Sequence, residues 1–186
     1  MIKFLGLLSK KKKIKSNIAI SIFISVLRNV ILEGFTEVKD FINHNNNLEK
    51  SPDLKDADIK WFNDVIFLGN LSLLEKYFEE NEVISLRALF LDEIYKDLDS
   101  NENQLAVENF LNYENYFNEL LVKYETPILA MVYAIFEKYN INDFQGDLFR
   151  KKNKPNPIFI SELKNVLNHF IWNWDDYLEK NKLDFS

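Results

Sequence analysis

The sequence predicts an all-α protein, and two observations lead to that prediction. Apolar residues recur at intervals of three and four along most of the chain, which is the period of an amphipathic helix. No segment alternates apolar and polar residues over the length of a strand, and no Asn-Gly turn marks a hairpin. Because short polar turns separate the periodic segments, we expect a compact antiparallel bundle, or an array of helical hairpins, of about seven to eight helices.

The first two helices have the clearest boundaries. The first covers residues 19–42, with a polar cap at residues 16–17 and a polar run at residues 44–47 as its end. Its length predicts a central helix that packs on several sides. The second begins at residues 51–53 (Ser-Pro-Asp), which supply a cap, a first-turn proline and an acid at the positive helix end. Residues 69–70 (Gly-Asn) are typical of its C-cap and turn.

The rest of the chain continues the same pattern. Further helices are expected over residues 71–78, 82–98, 104–124, 128–139 and 161–178. Thr126 and Pro127 end one of these helices and begin the next, since they supply a cap and a first-turn proline. Residues 140–160 contain Gly146, two prolines and a basic cluster, so we expect an irregular basic loop there.

The composition predicts one globular domain over residues 1–186, large enough for a core that needs no disulfide or metal staples. Sixteen Phe, eight Tyr and three Trp supply a dense aromatic core. The chain has no Cys, which excludes a disulfide framework, a thiolate zinc site and a Cys nucleophile. Its four glycines lie far apart, so no phosphate-binding Gly-rich loop is present and we expect no cofactor.

Charge is divided unevenly along the chain. Six lysines lie within residues 1–15, whereas residues 16–186 hold 17 basic and 29 acidic side chains. The acid is densest in residues 75–119, where twelve carboxylates stand against three basic side chains. A field of that sign repels phosphate backbones and attracts cationic proteins. We therefore expect a basic protein partner and no nucleic-acid partner; the alternative is a solvated face that keeps the protein soluble.

One side of the first helix has the spacing of a metal site. Four residues follow each other at intervals of four, three and four: Glu33, Glu37, Asp40 and His44. The helix thus presents three carboxylates and an imidazole together, which favours a divalent-metal-dependent helical enzyme as one alternative. The other interpretation is a solvated polar stripe with His44 near the helix C-terminus. No Glu-x-x-His pair occurs, and a di-iron bundle would need two.

The terminal helix carries the second histidine and two tryptophans. His169 and Asp176 are seven residues apart, which places a base and a carboxylate on one side of a helix, although no nucleophile is marked. We interpret His169 as a half-buried structural histidine. Since Trp172 and Trp174 cannot share a helix face, Trp172 either anchors an interface or packs under the loop at residues 140–160.

Residues 1–15 combine an apolar start with a lysine cluster. The later apolar run, residues 17–32, contains Arg28, is too short to span a bilayer, and is followed by no signal-peptidase site. We therefore expect a cytoplasmic chain without a transmembrane helix. A peripheral membrane protein that works through residues 1–15 is a further alternative.

Together these patterns favour a non-catalytic acidic interaction protein. It would bind and neutralise a basic partner by charge-steered steric occlusion, in the manner of a bacterial immunity or antitoxin protein that inhibits a toxin. The predicted contact residues are Glu79, Glu80, Asp92, Glu93, Asp97 and Asp99, with Trp172, Asp175 and Asp176 as a second group. The metal-dependent enzyme and the peripheral membrane protein remain the alternatives.

Overall fold

A short parallel sheet joins the two ends of the described chain. The structure is a computed structural model, and it describes residues 11–186, apart from the side chain of Ser100. Strand β1 (Lys12–Lys15) pairs with strand β2 (Asn181–Asp184), with Lys12 opposite Asn181 and Lys15 opposite Asp184. The prediction of no strands was wrong, because four-residue strands are too short to show a two-residue period. Most of the predicted segment 1–15 lies outside the described residues.

Helices account for most of the remaining chain. The described residues form eight α-helices, one of them a single turn: α1 (Ser16–Asn43), α2 (Ile59–Leu71), α3 (Glu80–Tyr95), α4 (Ser100–Tyr124), α5 (Pro127–Lys138), α6 (Asp147–Arg150), α7 (Pro157–Leu167) and α8 (Trp174–Lys180). Short 3-10 turns lie at Asp56–Asp58, Leu74–Lys76, Ile141–Phe144 and Asn168–Phe170. The prediction of an all-α fold is confirmed.

The core surrounds α2. Residues 65–71, its second half, are buried at every position, whereas α1 is buried along one side and exposed along the other. α2 packs against α1, α4 and α5, and α5 packs in turn against α4 and α7. The prediction that the first helix is central was wrong. Its length lets it cover one side of the bundle, and the shorter α2 is buried on every side in its second half.

Aromatic rings fill the space between α1, α2, α3 and the C-terminal segment. The ring of Phe23 lies 6.4 Å from that of Phe67 and 6.5 Å from that of Phe90, measured between centroids. It lies 5.7 Å from the rings of both Trp172 and Trp174. The pairs are edge-on, tilted or stacked, which are the orientations that aromatic quadrupoles favour. Phe23 is therefore the centre of an aromatic cluster that joins α1, α2 and α3 to the C-terminal segment.

Two glycines permit close packing inside helices. A Cβ on Gly34 would lie 2.6 Å from Cζ of Phe170, and a Cβ on Gly69 would overlap the thioether of Met131. Gly69 thus lets α5 approach α2, and α2 continues past it to Leu71. The predicted C-cap at residues 69–70 was wrong, because Gly69 serves packing there and leaves the helix unbroken.

Of the predicted helix starts at residues 51–53 and 126–127, the first was wrong and the second is correct. At residues 51–53 the Ser51 hydroxyl accepts a hydrogen bond from the backbone N–H of Asp53 (3.1 Å), and Asp53 adopts a left-handed φ of 57°. That is a local turn, so α2 begins later, at Ile59, and the predicted start was wrong. At the other junction Thr126 does cap α5, since its hydroxyl accepts from the N–H of Leu129 (3.4 Å).

The predicted terminal helix over residues 161–178 is divided into α7 and α8. Asn70 of α2 lies beside the division: its side-chain amide donates to the carbonyl of Phe170 (2.9 Å) and accepts from the N–H of Trp172 (2.7 Å). These bonds satisfy backbone groups that leave the helix at that point. Because of the break, His169 and Asp176 do not share one helix, and the predicted pairing on one side was wrong.

The irregular loop predicted at residues 140–160 is partly ordered. It contains a 3-10 turn, α6 and the start of α7. Buried Gln145 holds it, since its side chain donates to Asn142 (3.1 Å) and to the carbonyl of Lys154 (3.2 Å), and accepts from the N–H of Asn156 (2.6 Å). Polar bonds of this kind replace the apolar period that the loop lacks.

Candidate functional site

A cleft of about 720 Å³ lies between the segment at residues 72–78, the first two turns of α3 and the middle of α4. We name it the acidic groove. Its carboxylates and its apolar floor are Glu75, Glu79, Glu80, Glu114, Phe78, Val83, Ile84 and Leu121. A volume of this size is within the range of ligand-binding clefts.

Three of the carboxylates are exposed at the rim. Glu75 belongs to a 3-10 turn, and Glu79 and Glu80 lie at the start of α3. Acids are stabilised at that end of a helix because its free N–H groups carry partial positive charge. The same N-terminus is closed by Glu82, whose side chain accepts from the N–H of Glu79 (3.1 Å). Local helix chemistry therefore concentrates negative charge at the rim.

The fourth carboxylate belongs to an ion pair between helices. Arg87 of α3 donates a hydrogen bond to Glu114 of α4, and the Glu114 side chain is only 11% exposed. Among the described residues, no basic side chain lies within 4.0 Å of Glu75, Glu79 or Glu80. The pair fixes α3 against α4, and the three rim carboxylates give the groove its net negative charge.

The floor of the groove is apolar. Ile84 is 63% exposed, and Val83 and Leu121 lie beside it. An exposed aliphatic side chain in the same cleft as three carboxylates offers two kinds of contact at once, since the floor can bury apolar area and the rim can pair with cations. The groove is therefore suited to a segment that is both cationic and amphipathic.

The structure separates the six acids predicted as contacts. Glu79 and Glu80 line the groove, whereas Asp92 and Asp97 are exposed elsewhere and do not line it. Glu93 accepts from the ammonium of Lys96 (3.0 Å) and from the hydroxyl of Ser21 (3.1 Å). The bond from Lys96 lowers the pKa of Glu93.

Asp99 stabilises the start of α4. Its side chain accepts from the N–H groups of Asn101 and Glu102 (both 3.0 Å), so it is the N-cap of α4. Residues 99–103, which separate the predicted helices 82–98 and 104–124, are that cap and the first turn of the helix. The carboxylates of Asp99 and Glu93 therefore both accept hydrogen bonds from groups of this protein.

The second predicted group surrounds α8. Trp172 is half-buried and packs against Phe23 (5.7 Å between ring centroids) and Tyr177 (5.6 Å) in the aromatic cluster. Asp175 accepts from the hydroxyl of Tyr77 (2.9 Å), which ties α8 to the segment that carries Glu75.

Asp176 is exposed and accepts from the Asn173 side chain (2.8 Å). Trp172, Asp175 and Asp176 do not line the acidic groove. Their assignment as contacts stays a prediction.

Sequence reasoning missed Glu114 and the apolar floor as site residues. The pairing of Glu114 with Arg87 joins two helices, so no local spacing shows it. Ile84 does leave a signal: it falls outside the inward series of α3, which contains Val83, Leu86 and Phe90. An apolar residue off the buried side of a helix indicates a contact surface.

The proposed metal side of α1 is exposed along its length. Within residues 11–186, no group of three or more His, Asp or Glu side chains is placed to hold a metal ion. His44 uses Nδ1 in a hydrogen bond with the carbonyl of Asp40 (3.0 Å). Glu33 and Glu37 instead line a shallow cleft of about 260 Å³ that also contains His169. No hydroxyl or amine side chain lines this cleft.

α1 also meets the length and composition requirements of a membrane span, and it is the one such helix in the described part. The shorter apolar run at residues 17–32 had predicted no such helix. Part of the helix packs in the core, where Ile20, Phe23 and Leu27 are buried.

No protein-family model matches this chain, and the comparisons with curated proteins and with solved structures also find no match. Function must therefore be argued from the geometry and charge of the surface itself.

Proposed function

We propose that this protein is a non-catalytic interaction protein whose acidic groove binds a basic segment of a protein partner. The cleft that combines exposed Glu75, Glu79 and Glu80 with an apolar floor is the observation that supports it best. Charge complementarity of this kind speeds the association of a cationic partner and orients it.

The partner that fits is a basic toxin in the cytoplasm, and this protein would act as its immunity or antitoxin protein. A convex cationic element of the toxin fills the groove, its Lys or Arg side chains meet the rim carboxylates, and an apolar side chain covers Ile84. An element held in this way cannot reach its substrate. Neutralisation is then steric and needs no chemical step from this chain.

A cationic amphipathic peptide of Lys and Leu tests the groove directly, with binding measured by fluorescence anisotropy. The variant E75Q/E79Q/E80Q removes the three rim charges, each of which we expect to contribute about 0.5 kcal/mol, so affinity falls about tenfold. The effect shrinks at high ionic strength, since exposed charges are screened.

The matched control is E33Q/E37Q/D40N, which removes three exposed acids from α1, away from the groove. We expect this control to bind the peptide like the unmodified protein. An equal loss in both variants would mean that net charge alone attracts the peptide, and no loss in either would contradict the groove as the binding site.

A further inference from the structure

A surface of opposite charge surrounds the two-stranded sheet. Six exposed lysines lie on or beside the strands, and we name them the basic pole: Lys11, Lys12, Lys13, Lys15, Lys180 and Lys182. The register places Lys182 directly opposite Lys13. Like charges in that position destabilise a strand pair, so strand pairing itself does not explain the cluster.

Two acids accompany these lysines. Lys13 forms a salt bridge with Asp184 (2.8 Å), and its hydrogen bond holds the pKa of Asp184 at about 2. Glu179 is exposed at the end of α8. Six cations against two carboxylates leave a local excess of positive charge in a chain whose net charge is −6.

An exposed line of aliphatic side chains begins directly after β1. Ile18, Ile22 and Val26 are 50%, 38% and 42% exposed, and their spacing of four residues places them on one side of α1. We name them the apolar stripe. Because α1 packs against both strands, the stripe and the basic pole are neighbours.

We propose that the basic pole and the apolar stripe together dock on the surface of an anionic phospholipid bilayer, a role that goes beyond partner binding at the groove. Lysines attract the anionic headgroups, and the three aliphatic side chains enter the interface below them. Docking needs no insertion of the whole helix, whose opposite side stays in the core.

The apolar stripe favours a membrane over a nucleic acid as the anionic partner of the basic pole. A phosphate backbone would pair with the lysines but would give Ile18 and Ile22 no apolar contact. Farther along the same side, Glu33 follows about 10 Å beyond Val26 and Glu37 about 16 Å beyond it, at the rise of an α-helix. These carboxylates are repelled by anionic lipid, so α1 docks through its N-terminal end.

Co-sedimentation of the full chain with lipid vesicles tests the proposal. We expect binding to vesicles that mix phosphatidylglycerol with phosphatidylcholine, and little binding to phosphatidylcholine alone. K12Q/K15Q/K182Q should lower the partition coefficient roughly 100-fold at low salt. I18S/I22S/V26S should lower it about tenfold or more while net charge stays constant.

K151Q/K152Q/K154Q is the matched control, since it removes three exposed lysines of another basic cluster. It should sediment with vesicles like the unmodified protein. The altered side chains are exposed, and thermal melts will show that each variant is folded.

Four results would overturn the proposal. The first is no difference between the two vesicle types, and the second is an equal loss in the control. The third is a dimer in analytical ultracentrifugation that I18S/I22S/V26S dissociates, which would assign the stripe to a second copy of the chain. Lysine-dependent binding to an oligonucleotide, with vesicle binding unaffected by the stripe variant, would assign the pole to nucleic acid instead.

Discussion

The ammonium group of Lys138 lies among three aromatic rings. Its Nζ is 4.1 Å from the ring centroid of Trp61, 4.5 Å from that of Tyr113 and 5.3 Å from that of Tyr116. The negative faces of the rings attract the cation. Burial lowers the pKa of Lys138 at the same time, and the charge of Asp64 on α2 opposes that change.

Asp64 is the second half-buried charge of this region. Burial raises the pKa of its carboxyl group to about 6, against a hydrogen bond from Asn63 and the attraction of Lys138. Its usual value is near 4. Between about pH 4 and pH 6 the folded state therefore holds this proton more tightly than the unfolded state.

The stabilisation from protonated Asp64 is present in full below about pH 4 and is lost as the pH rises through about 6. Asp64→Asn removes that loss. At pH 7.5 we expect it to raise the free energy of unfolding by about 1–2 kcal/mol, a figure reduced for partial solvation. Urea denaturation at several pH values measures the effect.

Glu108→Gln, an exposed acid in the middle of α4, serves as the control and should keep the loss of stability that the unmodified protein shows. A loss of stability in Asp64→Asn at pH 7.5 would mean that attraction to Lys138 outweighs burial.

Among the helices, the side chain of Asn70 forms hydrogen bonds with the backbone at the break between α7 and α8. Its amide also donates to the carbonyl of Ile66 (2.8 Å), so one fully buried side chain joins α2 to the break between α7 and α8. The break turns the chain so that Trp172 and Trp174 both reach the aromatic cluster around Phe23.

Asn70→Ala leaves the carbonyl of Phe170 and the N–H of Trp172 without this partner. We expect the variant to lower the free energy of unfolding by about 2–4 kcal/mol, measured by urea denaturation. Asn112→Ala is the control, since Asn112 is exposed on α4, and it should change stability by less than about 0.5 kcal/mol. A cost that small for Asn70→Ala would show that the break is maintained by aromatic packing alone.

For the whole molecule, one ring contact connects the acidic groove with the residue that follows the strands of the basic pole. The ring of Phe185, just beyond β2, lies 6.4 Å from the ring of Phe78 in the groove. Lys182 is three residues before Phe185, or about 10 Å along a strand. Since the screening length is about 30 Å at 0.01 M salt, charges on the two surfaces act on each other at low ionic strength.

This proximity predicts coupling between the surfaces. K12Q/K15Q/K182Q removes positive charge near the groove, so we expect a cationic peptide to bind the groove about two- to fivefold more tightly at low ionic strength. Anisotropy titrations at low and high salt measure the change, which should vanish in high salt. Unchanged affinity at low salt would show that the surfaces are independent, and anionic lipid on the basic pole would then leave partner binding unaffected.

The sequence by itself determined the features that depend on near neighbours. The three-and-four spacing of apolar residues predicted the helices, because helix formation joins residues one turn apart. The Thr126–Pro127 junction was predicted for the same reason, since cap and first turn lie within four residues. The sequence also predicted that Glu79 and Glu80 belong to a negatively charged surface. In the structure both residues lie at the start of α3 and line the groove.

Only the tertiary structure decided the features that join distant residues. Asn70 and Phe170, Arg87 and Glu114, and the strands at the two ends of the described chain come together through packing. The sequence around Gly69 is typical of a helix end, whereas in the structure the side chain of Met131 fills the space beside this glycine. A local sequence pattern does not show such pairs, because each residue of a pair also fits its own segment without the partner. The free energy that selects the pair arises only when the core packs and the buried backbone groups find hydrogen-bond partners.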